Sequence, residues 1–147
     1  MMKPAAVLLA AAAFAQPAAV SAQTPAPAPD PRSAIYELRI YYPAAGKLDA
    51  LNARFREHTL KIFAKHGMTS VAYWNEAATA ASPNGRVVYV LAYPSRAARD
   101  ADWQAFGADP EWKAVSAASE ANGKLVDKVE SIFMTMTDYS PPLTFPH

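Results

Sequence analysis

The chain has no cysteine, and its five glycines stand apart from one another. The first absence removes disulfides, thiolate nucleophiles, Cys-ligated zinc and iron–sulfur clusters. The second leaves no glycine-rich loop to cradle a phosphate, and Gly-x-Ser-x-Gly does not occur. Nucleotide binding and serine hydrolysis therefore lack their residues. An excess of one charge is also missing, with Lys and Arg totalling 14 against 13 for Asp and Glu. That balance excludes the basic footprint of a nucleic-acid binder and the polybasic patch of an electrostatic membrane binder. No His-x-x-x-His pair or acidic cluster at ligand spacing appears. His58 and His66 are separated by about 12 Å of helical rise, so they cannot share a metal, and none is expected.

The longest early apolar run, Val7 to Phe14, falls short of the roughly 20 residues a membrane span needs. Lys3 precedes it, and Val20-Ser21-Ala22 places small residues before Gln23. Residues 1–22 thus read as a signal peptide, and the chain as exported, to the periplasm or beyond. Cleavage removes Lys3, balances the charges and leaves no integral membrane segment. With no cysteine after the cleavage point, a lipoprotein anchor is excluded. Residues 23–33 alternate Pro with Ala and read as an extended linker. Residues 34–141 form one domain, large enough for a core without staples. Residues 142–147 are a short tail.

Within the domain, Ile35 to Tyr42 alternates as a strand, with Tyr36, Leu38 and Ile40 on one face and Glu37, Arg39 and Tyr41 on the other. Lys47 to His66 predicts one amphipathic helix, its stripe formed by Leu48, Leu51, Phe55, Thr59, Ile62 and His66, with His58 at the edge. Gly67 stops it. Met68 to Asn75 is a second strand, and Ser82-Pro83-Asn84-Gly85 a turn. Arg86 to Tyr93 is a third strand, apolar on both faces and so covered on both. Ser95 caps a helix carrying Trp103 and Phe106, which Gly107 breaks. Asp109 and Pro110 restart it, and Gly123 ends it. Val129 to Thr137 is the fourth strand. The order βαββαβ predicts an α+β, ferredoxin-like fold: a four-stranded antiparallel sheet with both helices on one face. The other face is too apolar for water. A second copy is its simplest cover, which predicts a homodimer closed as a dimeric α+β barrel.

Seven local patterns then follow in order. They are Tyr36-Glu37-Leu38-Arg39, His58, Lys65-His66-Gly67-Met68, Trp74 with the strand Val88 to Tyr93, Trp103 with Phe106, Asp109-Pro110-Glu111-Trp112, and Asp138-Tyr139-Ser140-Pro141. In this the chain resembles the NIPSNAP family from Tyr36 to Pro141. The resemblance implies a branch of the dimeric α+β barrel superfamily, which also holds cofactor-free monooxygenases, haem-degrading enzymes and stress-response barrels. Eukaryotic members are associated with membranes and trafficking. This single-domain chain differs from the mitochondrial members in its targeting.

Candidate chemistry centres on Glu37 and Arg39, which share a strand face. Arg39 can grip an anion or carbonyl, or the two can form a structural ion pair. His58 is the candidate general base, with Arg39 and Tyr89 as polarising groups, for a cofactor-independent oxygenase or an isomerase-like proton transfer. Glu37, Tyr41, Trp74 and Tyr93 are expected to line a pocket for a small, mostly apolar ligand. No cofactor is required by this reading. Two alternatives stand beside it: a non-catalytic interaction module, and haem binding through His58. His66 is expected to serve the helix C-terminus.

Overall fold

The structure, a computed structural model, describes residues 27–145. The expected leader and the start of the linker lie outside the described residues, as do residues 146 and 147. Among the described residues no helix is long and apolar enough to cross a membrane. The linker's last part is seated on the domain rather than free of it: Pro29 is buried, and Asp30 closes a turn by accepting from Arg32 N at 2.9 Å and from Ala34 N at 2.9 Å.

Four strands, β1 (Ile35–Pro43), β2 (Thr69–Glu76), β3 (Arg86–Tyr93) and β4 (Val126–Met134), form one antiparallel sheet in the order β2-β3-β1-β4. This is the ferredoxin-like arrangement. The two-sided apolar strand β3 lies inside the sheet beside β1, where two neighbours satisfy its backbone. The helices α1 (Leu48–Arg54), α2 (Leu60–Lys65), α3 (Arg96–Ala108) and α4 (Pro110–Ser119) cover one face. The core there is Leu51, Phe55, Ile62 and Phe63 from the helices against Val87, Tyr89, Leu91 and Tyr93 from β3.

Three boundaries depart from the sequence reading. The first long helix is not a single α-helix: a π turn, Phe55–Thr59, joins α1 to α2. The Thr59 hydroxyl donates to the Arg54 carbonyl at 3.2 Å within that turn. Thr59 keeps its expected place on the buried stripe, while the wider turn carries His58 off the stripe's edge into solvent. Gly107 does not break α3, which runs on to Ala108. The chain turns at Asp109, whose extended backbone and side-chain bond to Glu111 N make it the cap of α4. Strand β4 begins three residues earlier than expected and stops at Met134. Leu125 is buried and its carbonyl accepts from Ala44 N at 2.9 Å, which starts the pairing opposite the end of β1. The start was hidden because Asp127, Lys128 and Glu130 look like loop residues. On an edge strand such charges guard against further pairing.

Gly85 is the one glycine that packing also demands. Its φ is +67°, and a Cβ there would lie 2.7 Å from the Glu76 carbonyl oxygen and 3.3 Å from Leu48 Cδ2. Neither the strand backbone nor the left-handed conformation can yield cheaply. Gly85→Ala is expected to cost more than about 1 kcal/mol, read as a lowered urea midpoint. An unchanged midpoint would show that the β2–β3 turn relaxes freely.

Candidate functional site

Register places Glu37, Arg39 and Tyr41 opposite Leu91, Tyr89 and Val87, so the polar face of β1 looks toward the helices. There the Glu37 carboxylate is completely buried. Its Oε1 accepts from Arg39 Nη1 at 2.7 Å, Arg99 Nη2 at 2.6 Å and Ser131 Oγ at 2.6 Å. Its Oε2 accepts from Arg99 Nε at 2.9 Å and Trp103 Nε1 at 3.1 Å, with the Tyr93 hydroxyl at 3.5 Å. Burial alone pushes this carboxyl up. The hydrogen bonds of Arg99 and Ser131 and the charge of Arg39 more than offset that, and bring it down to about 2.

Arg39 is equally committed. Its Nε donates to the Tyr89 hydroxyl at 2.9 Å, and its guanidinium lies 4.1 Å over the Trp103 ring. Tyr89 is enclosed by Phe55, Phe63, Tyr41 and Tyr73, the last stacked at 5.4 Å. Burial pushes both the Tyr89 and the Tyr93 hydroxyl well above the usual tyrosine value. Both remain neutral donors and acceptors at physiological pH. What this arrangement does chemically is hold a carboxylate ionised inside the domain. It presents no vacant acceptor to a substrate.

Of the residues singled out from sequence, the structure brings together Glu37, Arg39, Tyr41, Tyr89 and Tyr93. It separates the other two from them. Trp74 pairs with Val88, on the sheet face away from the helices, and is 53% exposed. His58 is 47% exposed, with Nε2 3.9 Å from Glu57 Oε2. It borders a groove of about 540 Å³ between α1 and α4, lined by Ala50, Ala53, Ala114 and Ala118. Among the described residues it shares no hydrogen bond, ion pair or ring contact with Arg39 or Tyr89. His66 is the C-cap of α2, its backbone N–H closing that helix end, while its side chain reaches further: Nε2 donates to Asp109 Oδ2 at 2.7 Å, tying α2 to the cap of α4. Two network members escaped the sequence reading, Arg99 and Ser131. Arg99 stands one helical turn before Trp103, so its place on the inner stripe of α3 was available. Ser131 lies within the expected fourth strand, but only the pairing register of β4 on β1 sets it beside Glu37.

The sheet face away from the helices is organised in rows. Glu76, Arg86, Tyr42 and Lys128 form the first, and Trp74, Val88, Ile40 and Glu130 the second. Ala72, Val90, Leu38 and Ile132 form the third. The first row is internally paired. Arg86 binds Glu76 and the Tyr42 hydroxyl, and Glu130 takes Lys128 and the same hydroxyl. Apart from Glu130 the second and third rows are apolar, and among the described residues Trp74 and Ile132 remain about half exposed. At the far end, Phe145 of the tail packs near Tyr36 and Ala92.

A family model described as NIPSNAP matches residues 36–141. No curated protein matches the chain. Among solved structures, a NIPSNAP-like domain protein from Burkholderia xenovorans is 20% identical, with a TM-score of 0.63 over 78% of this chain and 94% of that one. A NIPSNAP family protein from Agrobacterium tumefaciens is 25% identical, with a TM-score of 0.61 over 74% of this chain and 97% of that one. Another from the same organism is 21% identical, with a TM-score of 0.62 over 76% and 96%.

Removing the buried charge leaves two guanidinium groups facing a neutral amide. Glu37→Gln is expected to destabilise the fold by about 3–5 kcal/mol, the usual cost of breaking a buried pair from one side. The folded-state carboxyl titrates below its ordinary value of 4.5. Its stabilisation is therefore complete above that pH and is lost as pH falls toward about 2. Urea midpoints measured down this range should fall more steeply for wild type than for the variant. Parallel acid slopes would remove Glu37 as the responsible group.

Proposed function

Because the chain belongs to the NIPSNAP family, we propose that it acts as an exported, self-assembling α+β barrel that binds a small, mostly apolar ligand without transforming it. The single observation that carries the assembly is the apolar block on the open sheet face, where Trp74 and Ile132 are exposed beside half-buried Leu38, Ile40, Val88 and Val90. Burying the exposed half of a large side chain there contributes on the order of 1 kcal/mol. A second copy presents the same block, so a twofold contact satisfies both at once. The charged row around Tyr42 is already paired within the protomer. It can sit at the rim without a partner's charges, so the contact loses little by desolvation there.

Binding without turnover is favoured over a cofactor-independent oxygenase or isomerase by the state of the polar groups. Arg39 and Tyr89, the expected polarising pair, are bonded to one another, and Arg39 also to Glu37. Neither lines the α1–α4 groove beside His58. His58 would need to reach them to act as their base, and it borders the α1–α4 groove instead. Haem ligation by His58 draws support only from its exposure. The ligand-binding half of the reading rests on a groove of about 210 Å³ between the π turn and β2, bordered by Trp74 and lined mainly by apolar side chains.

Light scattering at micromolar concentration is expected to give twice the protomer mass. Trp74→Glu with Ile132→Glu should shift the protein to monomer, weakening association at least about 100-fold, as expected when central interface anchors are lost. Both side chains are half exposed in the protomer, so circular dichroism should be unchanged. A wild-type monomer would sink the assembly reading.

A further inference from the structure

The groove at the π turn has a chemistry more specific than apolarity. Phe55, Leu60, Tyr73 and Val87 line it, with Asn52 and Arg56 on the helix lip and Asn75 on the strand lip. Phe55 and Tyr73 meet edge to face, with centroids 6.1 Å apart and planes at 61°. They form an aromatic corner, a shape that accepts a flat ring better than a branched chain. The Tyr73 hydroxyl is engaged by Ser70 Oγ at 2.7 Å, so the corner itself offers no free polar group. Polarity is confined to the lips.

Charge on those lips has one sign. Arg56 is exposed and forms no ion pair among the described residues. No carboxylate lines the groove. The nearest acidic residue in sequence on the strand side, Glu76, is held by Arg86. The two asparagines add neutral donors and acceptors beside this cation. Size narrows the ligand further. A dry cavity of about 150 Å³ accepts benzene, so about 210 Å³ has room for one ring with a small substituent.

We propose that this groove binds a monocyclic aromatic carboxylate. The ring lies in the Phe55–Tyr73 corner, and the carboxylate reaches Arg56 with Asn52 and Asn75 alongside. This names the ligand class for the binding half of the function proposed above and rests on it. A guanidinium pairs with a carboxylate through parallel N–H donors. An uncharged or cationic analogue of the same ring therefore loses that pair while keeping the apolar contact.

The test is calorimetric titration of the full chain with benzoate, benzamide, benzylamine and hexanoate. Benzoate is expected to bind saturably and at least about tenfold more tightly than the other three, the range of a charge-assisted hydrogen bond. Arg56→Gln should weaken benzoate about tenfold and leave benzamide unchanged. Arg56 is exposed, so this variant keeps its fold. Leu60→Trp, which fills the groove, should abolish binding of all four. No saturable benzoate binding overturns the proposal, as does benzoate binding unaffected by Arg56→Gln. Tighter binding of benzamide, benzylamine or hexanoate than of benzoate would overturn the ligand class while leaving a small-molecule groove. Light scattering on the same samples reports the assembly separately, so a dimer that ignores benzoate counts against the ligand class and not against the assembly.

Discussion

A carboxylate with no access to water, on the strand at the centre of the sheet, sets the terms for the rest of this domain. Ionised Glu37 needs donors, and it draws them from β1, from β4 and from α3. Each is a constraint on geometry. Sliding β4 by one residue would turn Ser131 away and put Glu130 or Ile132 in its place opposite Arg39, since side chains alternate between faces. Rotating α3 would withdraw Arg99 and Trp103 together. A buried pair seldom adds much net stability over a well-packed apolar substitute. Its effect here is to make alternative registers of β4 and α3 costly, because each leaves an ion without partners.

The strand alternation around Glu37 was legible from sequence because it depends only on a period of two and on residue type. The identity of the third and fourth strands was legible in part. Strand β3 announces itself by an apolar run, while β4 carries the charges of an edge. What was not legible has more than one cause. His58 was placed at the edge of the apolar stripe by counting along an ideal helix, and the π turn moves it further from the core. No residue in Phe55–Thr59 signals an i→i+5 turn by composition. The turn is selected by tertiary packing: it keeps Phe55 against Tyr89 and lets Thr59 be buried over Arg54. Arg99 was missed for a different reason. An arginine on a helix is usually solvated, and only the depth of Glu37 turns it inward.

The two sheet faces divide the work. On the helix face, every polar atom of Glu37 is engaged and the aromatic rings interlock around Tyr89. Such a region is stiff and offers little for a substrate to displace. On the open face, apolar side chains stand uncovered between a paired charged row and the tail. A surface of that kind is costly in water and specific in outline, which suits a self-complementary contact better than a diffuse one.

The π turn connects these roles. One extra residue in the first helix advances everything after it around the helix axis relative to everything before. Phe55 stays in the core, but its neighbour Arg56 is delivered to the lip of the groove beside β2. His58 is turned toward α4. Counted from Phe55, an uninterrupted α-helix already returns Thr59 to the buried stripe and leaves His58 at its edge. The wider turn keeps Thr59 inward, with its hydroxyl satisfied on the Arg54 carbonyl, and carries His58 further out, to 47% exposed. A titratable imidazole beside the rings around Tyr89 would have to give up its proton or its hydration, and the irregularity removes it from them.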